Sequence, residues 1–272
     1  MSNDYIHLSY LTIALASITI LINAVLSFYF KLGMEKKLLF AASRMVLQLF
    51  LLGFVLKFLF ENTSLIFTFI AVFCMLMFAG REAYARQQRK FKGLWSFGLS
   101  SGSMTIAASC ITIFALFTQI SPEPWYNPRY FLPILGMILG NTMNGISLGL
   151  DNLTAIAARE KASIEARIAL GHTRLEALNL VIRSALRTSF MPAINSMSAI
   201  GIVSIPGMMT GQILAGADPV EATKYQMMIM FMIAGSTGLG SLFAVLGGAL
   251  RITDDRHRLR LDRLRGVYSK NG

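Results

Sequence analysis

Few residues in this chain are placed to do chemistry, and most of those lie inside apolar stretches. Arg44 and Gln48 stand one helical turn apart, Asn141 and Asn144 stand three residues apart, and Asp151 follows. A central Arg in a membrane-spanning helix costs about 2.5–3.5 kcal/mol, so such groups turn to a bundle interior or a watery path. They are the candidate substrate pathway. For Arg44 the alternative is snorkelling to the interface, and for Asn141 and Asn144 it is an interhelical hydrogen bond. Met137, Met143, Met208, Met209, Met227 and Met228 belong to a set of 16 methionines. Their thioethers suit soft ions rather than hard ones and more often serve as flexible packing, with Met208 and Met209 kept as pathway candidates. No catalytic or metal-binding set emerges. His7, His172 and His257 are scattered, with no partner at ligand spacing. Cys74 and Cys110 fall in separate apolar stretches and read as reduced packing residues. The sequence has no Gly-rich phosphate loop ending in Lys-Ser/Thr and no nucleophile–base pair, so no nucleotide cofactor belongs to this chain.

The elements that must position these groups are membrane helices. Hydrophobic residues make up 54% of the 272 and charged residues only 14%, with mean hydropathy +0.57; a soluble domain carries about 25% charged residues. Six or seven stretches, about seven as read here, can cross roughly 30 Å of hydrocarbon: 9–30, 38–60, 63–80, 95–119, 131–150, 188–206 and 224–250. The first lacks a basic leader and has Asp4 ahead of it, which favours an uncleaved span. The fold class is thus all-α, a polytopic bundle forming a single transmembrane domain over 1–272. Of the 25 Lys and Arg, 21 fall in 31–37, 81–92, 153–190 and 251–272, on one side of that topology. By the positive-inside rule this side is cytoplasmic, which puts the N-terminus outside and the C-terminus inside. The basic tail 251–272, from Arg251 to Lys270, suits anionic headgroups. It carries interleaved Asp254, Asp255 and Asp262 and no aromatic platform, which argues against nucleic acid.

Packing signals are dense. The pairs Gly136/Gly140, Gly145/Gly149 and Gly207/Gly211 allow close helix approach. Pro206, Gly207, Gly211, Gly216 and Pro219 interrupt 205–220, which reads equally as a re-entrant piece or as an outer loop.

One charged segment, 154–190, stands apart as a helix–turn–helix elbow. Ile164, Ile168, Leu175 and Leu178 recur at helical spacing, with charged residues on the other faces. Gly171 suits the left-handed end of a first helix. Thr173-Arg174-Leu175-Glu176 reads as a capping box opening a second, worth about 1 kcal/mol. Such an elbow is a rigid handle for another protein.

The run Glu165-Ala166-Arg167-Ile168-Ala169-Leu170-Gly171 resembles the "EAA, three residues, Gly" loop of ABC-transporter permeases, where it forms the coupling helix that docks on the ATPase. Pro192 comes later than the Leu-Pro that usually follows. The segment Ser204 to Gln226, beginning Ser-Ile-Pro-Gly-Met-Met-Thr-Gly-Gln, closely resembles the signature of a bacterial permease family assigned to iron export, to which a plant aluminium-tolerance permease is similar. Leu132 to Asn141 and the Arg44, Gln48, Lys57 spacing match as well, and the likeness covers roughly 30–235. It implies a non-catalytic permease subunit in the cell (inner) membrane, a homodimer with a separate ABC ATPase that holds the ATP and Mg. It also implies that Glu165, Ala166, Gly171, Thr173, Arg174 and Glu176 couple the two subunits, and that the cargo is iron or another metal species. The membrane stretches hold too few carboxylates for a tight hard-cation site, so bound iron is transient or travels complexed. A secondary transporter or channel-like protein without an ATPase is the alternative, and it calls for more ionisable groups at mid-membrane.

Overall fold

The computed structural model describes residues 9–87, 89–120 and 122–265; Asp4, His7 and Lys270 lie outside them. The described residues are all-α, with isolated β-bridges and no strand. The chain divides into two compact units: residues 1–64 with 214–216, and the remainder. The first unit holds α1 (Tyr10–Tyr29) and α2 (Glu35–Glu61). These pack on each other and show apolar side chains almost all round.

The second unit holds α3 (Leu65–Arg86), α4 (Trp95–Ala115) with a π-helical turn at Leu116–Ile120, α5 (Pro128–Arg159), α6 (Lys161–Ala169), α7 (Arg174–Ala177), α8 (Asn179–Ala199), α9 (Gly207–Leu214) and α10 (Pro219–Arg251). Helix α5 is its centre, with 61% of its most apolar window buried. Thr142 meets Ser236 hydroxyl to hydroxyl at 2.8 Å, and Gly248 lies against Leu150 and Leu153, so α5 and α10 run parallel. Ser184 donates to Asn152 at 3.2 Å while Ser189 lies against Gly145 and Gly149, so α8 runs antiparallel to α5.

Among the described residues six helices are long and apolar enough to cross a membrane, within the six or seven expected but one fewer than the stretches named. The missing one is 188–206. Its place is taken by α8, which starts nine residues earlier, carries Arg183 and Arg187, and stops at Ala199. Twenty-one residues still rise roughly 30 Å, and α8 runs against both α5 and α10, so the alternation of directions survives. The elbow is also shorter than expected. Helix α5 runs on to Arg159 and α8 begins at Asn179, which leaves Lys161–Ala177 as the elbow proper.

Of the glycine pairs, Gly145/Gly149 makes the close approach. A Cβ at Gly149 would fall 2.2 Å from Ser189 Oγ, and one at Gly145 would fall 2.6 Å from Thr237 Cγ2. At Gly140, Gly207 and Gly211 a Cβ would meet nothing within 4 Å. Cys74 and Cys110 are free and exposed, not packed inside.

Candidate functional site

The elbow is built by local chain chemistry. Helix α6 ends in a Schellman motif: Gly171 N–H donates to Ile168 O at 3.0 Å and His172 N–H to Arg167 O at 3.2 Å. Gly171 sits at φ +94°, where any side chain is strained. Two residues on, α7 opens with the expected capping box. Thr173 donates to Glu176 Oε2 through both its N–H and its hydroxyl, each at 2.8 Å, and these bonds hold the Glu176 carboxyl below its ordinary pKa. Ile164, Ala177 and Leu178 are buried and anchor the elbow to the bundle. Leu175, expected on that buried stripe, is exposed instead. Glu165, Ala166, Gly171 and Leu170 (81% exposed) lie on the surface too, and Glu165 pairs with Lys161 at 3.7 Å. The elbow thus presents a small mixed surface of carboxylates and aliphatic groups on a rigid frame.

Arg174 is half-buried and already engaged. Its guanidinium meets Asp255 at 2.8 Å and its backbone N–H donates to His257 Nδ1 at 3.1 Å. Both partners belong to the tail expected to lie on headgroups. Residues 251–265 fold back as a clasp. Arg265 N–H donates to Lys90 O, Lys92 N–H donates to Arg263 O, and Arg263 Nη1 donates to the carbonyls of Arg251 and Thr253. Arg260 grips Asp262 through two bonds, and Arg258 holds Asp254. The Arg258 N–H and guanidinium bring the Asp254 carboxyl down to about 2. Residues 251–265 hold six arginines and three aspartates, so the clasp stays net positive with its aspartates paired. The basic segments near 89–92, 159–174 and 251–265 thus gather at one end of the second unit.

Helix α5 carries the pathway candidates on its single open stripe. Pro133, Met137, Asn141, Asn144, Leu148, Asp151 and Ala155 recur every three or four residues and are exposed or half-buried, while the flanking faces are closed. Asn144 Oδ1 accepts a short hydrogen bond from Arg86 Nη1 of α3, a partner that sequence spacing could not supply. Asn141 Nδ2 turns back to Met137 O at 2.8 Å. The stripe therefore offers amides, one carboxylate and one guanidinium along an otherwise apolar bundle, a set suited to hydrogen-bonding a hydrated or polar solute. Among the described residues no group of three His, Cys, Asp or Glu could hold a metal. Arg44 and Gln48 are exposed on α2, in the first unit.

The stripe's upper residues, Pro133 and Met137, also line a cavity of about 500 Å³ at the end far from the elbow. Met208 and Gln212 of α9, Tyr225, Met228 and Ile229 of α10, Ile120 from the π-turn, and Arg129, Tyr130 and Ile134 of α5 complete it. Met209, its expected companion, lies beside Met208 with its sulfur 4.0 Å from the Thr223 hydroxyl. Met208 is thus joined to the α5 stripe through Met137.

The chain matches the model of an uncharacterised protein family, UPF0014, over residues 10–252. It belongs to that family. Among similar proteins, "Probable iron export permease protein FetB" of Escherichia coli (strain K12) is 32% identical over 254 residues, covering 93% of this chain and 96% of that protein. UPF0014 membrane protein YjkA of Bacillus subtilis (strain 168) is 34% identical over 232 residues, covering 85% of this chain and 90% of its own length. Protein ALUMINUM SENSITIVE 3 of Arabidopsis thaliana is 32% identical over 229 residues, covering 84% and 82%. No solved structure matches the chain. The UPF0014 match takes in the spans, the elbow, the α5 stripe and the cavity. It stops at Ile252, so residues 253–265 of the clasp lie beyond the matched region.

Proposed function

We propose that this UPF0014 membrane protein is the permease subunit of an ABC transporter that exports iron or another metal species. It works as a homodimer in the cell (inner) membrane, with its N-terminus outside and its C-terminus cytoplasmic, and ATP is hydrolysed on a separate ATPase. The observation that carries this reading is the elbow itself. A capped, Schellman-closed pair of short helices joins α5 to α8, and Glu165, Ala166, Leu170 and Leu175 stand exposed on its outward surface. Because α5 and α8 both pack on α10, a push on α6 and α7 moves helices rather than a loose loop. Glu165, Ala166, Gly171, Thr173 and Glu176 form or shape the docking surface, and Arg174 holds it to the clasp. The open α5 stripe is one wall of the path, with Asn141, Asn144 and Asp151 along it, and a second copy supplies the facing wall. The scarcity of mid-membrane carboxylates favours an ATP-driven cycle over ion coupling.

The test is ATP hydrolysis by the purified chain with its copurifying partner, before and after Glu165→Arg. Hydrolysis that falls at least fivefold supports the reading. The absence of any associated ATPase would sink it in favour of a secondary transporter.

A further inference from the structure

We infer that the open groove along α8 holds one anionic phospholipid, with its headgroup phosphate on Arg183 and Arg187 and an acyl chain on Phe190, Met191 and Ile194. The inference needs only a chain that spans a membrane, so it stands apart from the permease reading.

Charge is the first argument. Other arginines at the elbow end have carboxylates: Arg174 meets Asp255, Arg258 meets Asp254 and Arg260 meets Asp262. Arg183 and Arg187 are exposed, and among the described residues neither guanidinium has an ion pair or a hydrogen bond. Yet α8 packs against α5 and α10, two helices able to cross a membrane. Charged side chains in such a setting are costly until an opposite charge or water meets them. This chain supplies no anion there, and an anionic headgroup does. The two arginines stand four residues apart on one helix face, which sets their Cβ atoms about 5–6 Å from each other. Guanidinium forks at that spacing can close on one phosphate from two sides.

Position is the second argument. Helix α5 ends at Arg159 and α10 at Arg251, which puts the elbow end of the unit at a membrane surface. Helix α8 starts there at Asn179, so Arg183 and Arg187 lie near that surface and Phe190, Met191 and Ile194 follow inward. Arg183 to Ile194 covers about 16 Å of helix, and Met191 and Ile194 are each about half exposed. A phospholipid carries its charge and its hydrocarbon in the same order. With Leu186 these residues line a groove of about 660 Å³, inside the roughly 300–1,000 Å³ of small-molecule sites. Other occupants fit less well. A second copy laid groove to groove would set arginine against arginine, because a two-fold interface repeats one patch. A small free anion would satisfy the guanidiniums and leave the apolar wall bare.

The test is native mass spectrometry of the delipidated full-length chain in detergent. The probes are phosphatidylglycerol, phosphatidylethanolamine with the same acyl chains, and inorganic phosphate. We expect the first phosphatidylglycerol to bind at least tenfold tighter than phosphatidylethanolamine, and phosphate not to displace it. Arg183→Gln with Arg187→Gln should remove that preference. Arg183→Lys with Arg187→Lys should keep part of it, because charge returns without the forks. Ile194→Glu should weaken phosphatidylglycerol at least fivefold by placing a carboxylate in the acyl wall. Lys36→Gln with Lys37→Gln, an equal loss of charge on α2, should change nothing, and thermal melting shows that each variant is folded. Equal affinity for the two lipids would overturn the inference, as would a preference that survives the double Gln change or falls equally in the α2 control. Displacement by phosphate would make this a site for free anions. A double Gln variant that loses its dimer mass but keeps the lipid preference would give the groove to a second copy. Either result also overturns the inference.

Discussion

The two ends of the second unit are built on opposite plans. At the elbow end the polar groups are mostly paired, through a capping box, a Schellman turn and a clasp in which each aspartate meets an arginine, with Arg251 Nε left over. At the far end the backbone is broken by a π-turn, Pro133 sits inside a helix, Gln212 Oε1 has no partner, and the side chains enclose empty volume. Dense pairing makes a part that transmits motion without deforming. Unfilled space and unmade bonds make a part that can change shape around a guest. The open stripe of α5 connects the two.

The sharpest way to break this contrast is at Gly171. Val there must adopt φ +94°, which costs a non-glycine residue roughly 1–2 kcal/mol and more when it is β-branched. We expect transport to be lost while membrane insertion, followed by protease protection, stays normal. Next in size is Gly149→Leu, which drives a side chain into Ser189 across the α5–α8 contact. Overpacking of this kind costs about 1–3 kcal/mol, so the melting temperature in detergent should fall by several degrees. Asn144→Leu comes third. It removes the Arg86 partner from the stripe and should slow transport severalfold with little change in melting, a split that a purely structural hydrogen bond would not give.

Smaller effects belong to the clasp. Asp255 is 98% exposed, and exposed ion pairs contribute about 0–1 kcal/mol, so Asp255→Ala should leave stability nearly unchanged. Acid should act on Asp254 instead. Its pKa falls from 3.8 to about 2 on folding, so its contribution is complete above about pH 4 and is lost as pH drops through about 2. Proteolysis of the tail across that window would show the clasp opening.

How much of this was legible beforehand differs between the two ends. The elbow was readable because Gly171, Thr173 and Glu176 act through bonds to neighbours three or four residues away, and such spacing is visible in a sequence. Membrane helices were readable from composition alone. Helix α8 was not, since Arg183 and Arg187 dilute its apolar run and only its antiparallel packing on α5 and α10 reveals its course. The clasp escaped because the bonds that fold it back, Arg174 to Asp255 and the backbone bonds to Lys90 and Lys92, join residues 81 or more positions apart. The local pairs of Asp254 and Asp262 alone do not show where the tail lies. In the cavity, Met208 was singled out, yet Arg129 and Gln212 had no local signal to join them to it. Asn141, Asn144 and Asp151 did share a stripe, but Arg86 reached Asn144 from another helix.

The central claim is that the rigid elbow drives the deformable far end, and labelling chemistry can follow that directly. With Cys74 and Cys110 replaced by Ser, Met208→Cys places one thiol at the cavity in the complex with the partner ATPase. We predict that a non-hydrolysable ATP analogue changes its rate of alkylation at least threefold, and that Gly171→Val abolishes the change. A rate indifferent to nucleotide in the otherwise unaltered complex would contradict the account.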